Sequence, residues 1–501
     1  MTRALLLTFT LSLAACSDAD FSVFDGQEVS ADDSGSGFES DAMTSLRLDV
    51  YPSSSLAEGS LLNQTFLLDY AAPGVEVSLT RPVTLRGNLT GYDANPTADV
   101  AVPGQSTSVT GYVQAFVPGT VMSRKTPTDE TGYFAAQVVP SDGYTLAWIP
   151  EVPAELPFVV VTDELVDGPD DLSLYLDYGL PVYGAVTHGD DLDPVAGVSV
   201  QAFDVASGVG GPVVTTDSYG EYMLRLYPGE YELRVSDEDD RVPTQSIPIT
   251  VFDGDGLAQD VHYGTLERNA FRGTVVDADG EPVENVVVRL TSVDLDGTPD
   301  GTLVLELDTP RNGIFSDDIV PGVYEVEYIP PYLEAASGPT VGPVKLAEAV
   351  ELRGPNNQLP RVTLPERVTV QARVTDPDGN PVPGALVRAR ELGFDHYVFE
   401  AIANAEGDVS IRVTDTELLW TLEPPAGVPG AVTFREADPF EVIEAGTLQL
   451  SEGRQVSGQV LWGEQPAAYA AVEVRDFYDR LYASALTDDE GRFSVQVEWP
   501  E

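Results

Sequence analysis

The sequence predicts an all-β chain, a tandem array of small β-sandwich domains. Three observations predict it. Asp/Gly/Pro turns repeatedly separate two stretches of period-two apolar alternation, which is the hairpin pattern. A turn glycine returns at Gly132, Gly220, Gly313, Gly407 and Gly491, at spacings of 88, 93, 94 and 84 residues. That period is too long for a solenoid and suits separate sandwiches. No long stretch carries helical periodicity.

In chain order, Arg3 precedes an apolar run, Ala4 to Leu13, that leads into Leu13-Ala14-Ala15-Cys16. The run is about half of what a bilayer-spanning helix needs, so residues 1–15 read as a cleaved signal. Leu-Ala-Ala-Cys resembles the lipobox of bacterial lipoproteins, which implies that the Cys16 thiol is acylated and that export precedes it. Residues 16–44 hold eight acids and no base around a Ser-Gly-Ser-Gly centre. Such a segment cannot bury enough apolar surface to order itself and is expected as a disordered acidic spacer, spanning roughly 30 Å.

The repeating units are expected at 45–180 (with extra N-terminal strands), 181–266, 267–366, 367–451 and 452–501. A first phrase enters a turn and an alternating strand: Asp277-Ala278-Asp279-Gly280-Glu281-Pro282-Val283, then Val286, Val288 and Leu290. Its echoes are Asp376-Pro377-Asp378-Gly379-Asn380-Pro381-Val382, Asp193-Pro194-Val195-Ala196-Gly197 and Glu464-Gln465-Pro466. The second phrase is Thr128-Asp129-Glu130-Thr131-Gly132-Tyr133-Phe134, repeated as Thr216 to Tyr222 and Thr487 to Phe493. Its glycine suits a positive φ, and the aromatic starts a buried strand. The third is Pro228-Gly229-Glu230-Tyr231 and Pro321-Gly322-Val323-Tyr324.

Together the phrases resemble the carboxypeptidase regulatory-like family, whose sandwich is transthyretin-like and, more broadly, Ig-like. The resemblance covers roughly residues 84–501. The fourth unit departs from it: the second phrase lacks its aspartate, and Thr416 to Trp420 replaces Pro-Gly-x-Tyr. The same strands are expected there around a different turn. The fifth unit is expected to be incomplete, because Pro500 falls where its Pro-Gly-x-Tyr strand should begin. A fragment or a truncated reading frame is the expectation that follows.

Composition bounds the function. The 501 residues are 43% hydrophobic and carry 82 acids against 26 Lys and Arg, a net charge of −56. Such a surface repels nucleic acid and anionic lipid heads, so both are poor partners. A saline habitat is expected, because self-repulsion at this charge is screened within ~3 Å at 1 M salt. Cys16 is the only cysteine, so disulfides and thiol-rich metal sites are excluded.

His188, His262 and His396 lack the His-x-x-Glu spacing of zinc carboxypeptidases, and no nucleophile elbow or phosphate loop appears. No catalytic residue, metal or cofactor is expected. Asp277, Asp279, Asp376 and Asp378 place oxygens on alternate residues, a calcium candidate. Against it stands the simpler reading, in which Asp and Gly make the hairpin turn. Only Lys125 and Lys345 could supply the isopeptide bond of pilin-type sandwiches.

Trp462, Phe477, Tyr478 and Tyr482, with Phe394, Tyr397 and Phe399, are candidate sugar-stacking aromatics set against a core role. The expected function is non-enzymatic: a multidomain stalk, tethered to the outer membrane by its lipid, with adhesion or ligand binding at loop ends. Its expected partners are the membrane, through the lipid, and a polysaccharide or surface protein. Polysaccharide capture and service as an accessory region of a larger secreted peptidase are the alternatives.

Overall fold

The computed structural model describes residues 46–499, apart from 54–60, 69–73, 93–105, 153–155, 169, 238–240, 255, 299–300, 332–340, 393–397, 426–427, 429 and 477–478. The signal, Cys16 and the acidic spacer lie outside the described residues. The rest is strands joined by turns and loops. The one helix among the described residues, Pro439–Ala445, is capped by Asp438, whose carboxylate accepts from the Phe440 and Glu441 N–H groups.

Sandwich two shows the plan. Its first sheet places Leu180–His188 between antiparallel Glu221–Leu226 and the parallel pieces Leu257–Ala258 and Val261–Tyr263. Its second runs Val214–Thr215, Ser199–Asp204, Gly229–Ser236 and Thr244–Val251. Alternate residues of both sheets, among them Val182, Val186, Leu224 and Leu233, turn inward and seal the core. Sandwiches one (Val83–Leu176), three (Asn269–Thr363) and four (Val368–Gln449) repeat this plan, each around its own core.

The repeated phrases are the joinery of each unit. The Thr216 hydroxyl accepts from the Val198 N–H at 3.1 Å and donates to the Val195 carbonyl at 2.8 Å, tying the second phrase to the first. Thr309 and Thr487 do the same in sandwiches three and five. Asp217 accepts from the N–H groups of Tyr219 and Glu221 and shapes the turn. Gly220 then needs φ 74°, and its carbonyl accepts from Val186. A Cβ on Gly220 would sit 2.4 Å from the Val186 oxygen.

Tyr231 and Tyr324 each donate a phenol hydrogen to the carbonyl four residues upstream, Tyr227 and Val320. In sandwich four Asn404 replaces the turn aspartate and accepts the same two N–H groups, those of Glu406 and Asp408. There Trp420 takes the tyrosine's place, fully buried, with its indole N–H on the Ala437 carbonyl.

The expectation of an incomplete fifth sandwich is overturned. Three strands from the other end of the chain, β1 (Leu46–Tyr51), β2 (Gln64–Leu68) and β3 (Val75–Leu79), fill it. Strand β1 pairs antiparallel with Ala471–Arg475, where the Pro-Gly-x-Tyr strand lies in other units, and β2 pairs with β1. Strand β3 runs parallel to Arg454–Trp462, completing the other sheet. The apolar alternation Leu46, Leu48, Val50 supplies the missing half of the core against Val472, Val474 and Val495. The strands at 46–79 are therefore part of sandwich five, not an extension of sandwich one.

Linkers of three to five residues join consecutive sandwiches, and residues 80–82 join β3 to sandwich one. Such linkers reach at most about 20 Å. Sandwich five must therefore lie beside both four and one, and the five domains form a closed circuit. Each junction is packed. Phe158 of sandwich one meets Tyr231 of two edge-on at 6.0 Å. Thr244–Gln245 of two pair with Gly301–Thr302 of three. Ile329 of three packs on the core of four. The Phe434 ring of four lies 5.2 Å from Tyr482 of five.

Candidate functional site

The junction that closes the circuit is built on β1. Its sequence Leu-Arg-Leu-Asp-Val-Tyr buries both faces of the strand. The leucines and Val50 enter the core of sandwich five, while Arg47 and Asp49, both on the opposite face, are buried against sandwich one. Arg47 Nε donates to Asp49 at 3.0 Å, one Nη to the Gly119 carbonyl at 2.8 Å, and the other to Asp479 at 2.5 Å. The Thr65 hydroxyl donates to Asp49 at 2.7 Å and accepts from the Val121 N–H at 3.0 Å.

The buried pair is thus hydrogen-bonded on both sides, the condition under which such a pair is tolerated. Beside it, burial pushes the Tyr51 phenol up to about 12, with the carboxylates of Glu473 and Asp49 adding to the shift. The polar groups of this cluster bond one another and the backbone of sandwich one. What it can do is fix sandwich five against sandwich one. Sequence reading missed it because β1 carries no turn phrase. The one signal was a charged pair at alternate positions inside an apolar strand.

The structure disperses the residues singled out as aromatic candidates. Tyr482 is corrected to a core residue: a bulge between the Val474–Ala483 and Arg475–Leu481 pairs makes it the extra residue, and it turns inward with Ala483. Trp462 is half-buried and packs against the same core, with the Arg81 guanidinium 5.0 Å over its ring. Phe399 is also buried. Phe477, Tyr478, Phe394 and Tyr397 lie outside the described residues.

The four calcium candidates fall on turns. Asp277 accepts from the N–H groups of Asp279 and Glu281. Asp376 accepts from the Asn380 backbone and side chain, and the side-chain bond is the main cause holding its carboxyl below the usual aspartate range. Asp279 and Asp378 are exposed. Among the described residues no three His, Cys, Asp or Glu side chains are placed to hold a metal. Lys125 lies 3.8 Å over the Tyr112 ring, and Lys345 pairs with Glu325.

Sandwich two carries an open surface groove of about 820 Å³, lined by residues 183–185 and 221–223 of its first sheet and by 213–215 at the edge of its second. Half-exposed Tyr183 and Met223 floor it, and Asp217, Glu221 and Asp260 rim it.

These features define a multidomain, all-β sandwich protein. No family model matches the chain, and no curated protein matches it. Among solved structures it is similar to a streptococcal ancillary pilin, at 13% identity and a TM-score of 0.25, over 57% of this chain and 99% of the pilin. The TIE protein of Bacillus anthracis is similar at 10% identity and 0.17, over 83% of this chain and 68% of that one. GBS52, the minor pilin of Streptococcus agalactiae, is similar at 14% identity and 0.19, over 36% and 96%. The sandwich fold itself rests on the strand pairings above, not on these likenesses.

Proposed function

We propose that this is a non-enzymatic, lipid-anchored protein of the outer membrane, a multidomain β-sandwich body closed on itself and held off the membrane by its acidic spacer, with adhesion at its loop ends. The observation that carries the reading is the construction of the body. Five sealed sandwiches are joined by minimal linkers, and the turn carboxylates and hydroxyls are spent on the protein's own backbone. That is the chemistry of a load-bearing body rather than of a reaction centre. The resemblance to carboxypeptidase regulatory-like modules agrees with it. Cys16 supplies the tether, and its spacer runs directly into β1, so tension on the lipid is delivered to sandwich five.

Growth of producing cells with labelled palmitate tests the tether. The wild-type chain is expected to take up label and sediment with membranes, while Cys16→Ser takes up none and is released. Equal fractionation of the two would sink the proposal.

A second reading, polysaccharide capture, draws on the groove of sandwich two, where an exposed ring lies beside carboxylate acceptors. Glycan-array binding lost in Tyr183→Ala would support it. Binding unchanged by that substitution would remove the groove from consideration.

A further inference from the structure

We propose that the groove of sandwich two is a docking surface for an extended, basic peptide segment of a partner protein, which joins the first sheet as an added strand along the edge Glu221–Leu226. That strand pairs only with Leu180–His188, so its other side is a sheet edge. Hydrogen bonds alternate along an antiparallel pair. The Gly220 carbonyl accepts from Val186, so by that alternation Tyr222 and Leu224 face the paired strand. Met223 and Arg225 turn their N–H and carbonyl groups to the open side. Glu221 faces the same way, but its N–H donates to the Asp217 carboxylate and its carbonyl accepts from the Asp217 N–H. Among the described residues, none bonds the backbone groups of Met223 on that side. The edge is open for a local reason. In the other four sandwiches the second-sheet strand beside the equivalent edge runs five or six residues: Ser123–Pro127, Val304–Asp308, Val398–Ile402 and Leu481–Leu486. In sandwich two Gly210-Gly211-Pro212 interrupts it and leaves only Val214–Thr215. The groove lies at that interruption.

The chemistry of the occupant follows from the lining. When a peptide joins a sheet edge, backbone pairing gives affinity and contacts to alternate side chains give selectivity. Half-exposed Tyr183, Met223 and Val213 supply the apolar contacts. Asp217, Glu221 and Asp260 supply the charge. Asp217 and Asp260 each commit one carboxylate oxygen to backbone N–H groups and keep the other for a ligand. Arg225, the one base on this strand, leans back over the Tyr178 ring at 5.1 Å. A second copy of this chain would bring its own net charge of −56 to the edge and be repelled, whereas a cationic strand is attracted. A polysaccharide would stack on Tyr183 and leave the Met223 backbone unanswered. The open backbone therefore favours a peptide over a glycan in this groove.

The test is calorimetry on the full chain carrying Cys16→Ser, titrated with a synthetic peptide of alternating lysine and valine. Binding is expected at one site, with hydrogen exchange slowed in 221–226 and unchanged at the matching edges 314–319 and 408–413. Met223→Pro should weaken binding at least about tenfold, because it removes a donor and puts a ring in the pairing plane. The fold should survive it, since an edge strand tolerates proline where the N–H faced solvent. Met223→Leu should bind like the unaltered chain. Glu221→Gln with Asp260→Asn should weaken binding, and a glutamate–valine peptide should not bind. The lysine–valine peptide N-methylated at every residue keeps its charges but donates no backbone hydrogen bond. It should not bind, a result that stands even where Met223→Pro fails to fold. Equal binding of the methylated and unmethylated peptides would overturn the proposal, because attraction to the overall charge would then suffice. So would the absence of binding, or slowed exchange only outside 221–226. Chitin oligosaccharide binding that is lost in Tyr183→Ala yet kept in Met223→Pro, with no peptide binding, would give the groove to a glycan instead. Dimers abolished by Met223→Pro would give it to a second copy.

Discussion

Asp49→Ala is the sharpest probe of the closed circuit. Asp49 is fully buried and makes two short bonds, to Arg47 at 3.0 Å and to Thr65 at 2.7 Å. Its removal leaves the Arg47 guanidinium, only 4% exposed, facing one carbonyl and the largely exposed Asp479 carboxylate. Breaking one side of a buried pair costs about 3–5 kcal/mol. Asp479 still compensates part of the charge, so the lower end, about 3 kcal/mol, is expected, roughly a 150-fold increase in opening of the joint. A five-domain chain does not unfold in one step, so a single melting midpoint would not report this loss.

Hydrogen exchange read peptide by peptide would report it. Peptides from 454–497 should lose protection together with those from 46–68, some 400 residues away in sequence, while sandwiches two and three are unchanged. Arg47→Met with Asp49→Leu should recover most of the loss, because an apolar pair leaves no stranded charge. If 454–497 keeps its protection in Asp49→Ala while 46–68 opens, β1 does not belong to sandwich five and the closure is wrong.

Thr309→Val should destabilise sandwich three alone by about 1–3 kcal/mol, because it strands the buried Val286 N–H that Thr309 now accepts; exchange protection confined to 269–363 is the readout. Gly220→Ala forces a side chain into φ 74° and against the Val186 oxygen, so sandwich two should lose at least about 1 kcal/mol in the same assay. In sandwich four, burial raises the Glu391 carboxyl above the ordinary glutamate range despite the Thr414 hydroxyl donating to it. The fold therefore favours the protonated form. Its stability is full below the unfolded value and is lost as pH climbs through the folded one, and Glu391→Gln should flatten that decline in protection measured from pH 4 to 8. With a net charge of −56, thermal midpoints should rise from 0.1 M to 1 M NaCl as the screening length falls from ~10 to ~3 Å. Equal midpoints would refute the self-repulsion argument.

Much of each sandwich was legible in the sequence because its determinants are local. Gly220 must sit where a positive φ is needed, Asp217 bonds N–H groups two and four residues on, and Tyr231 bonds a carbonyl four residues back. Such short-range chemistry leaves a fixed phrase at a fixed place, and so the turns and the strands that flank them could be read from it. The fourth unit was harder only because Asn404 and Trp420 do the same jobs with other side chains.

The fifth sandwich was decided by tertiary structure alone. Strand β1 looks like any apolar strand, and nothing within it names Ala471–Arg475 as its partner across more than 400 residues. Backbone hydrogen bonds and apolar burial are indifferent to sequence separation, so a sheet edge left open at one end of a chain is filled by whatever strand the fold brings to it. The same indifference placed Tyr482 in the core through a bulge, and it matched Arg47 to Gly119 and Asp479 across two different domains. Local chemistry wrote the units; only the assembled chain determined how they close.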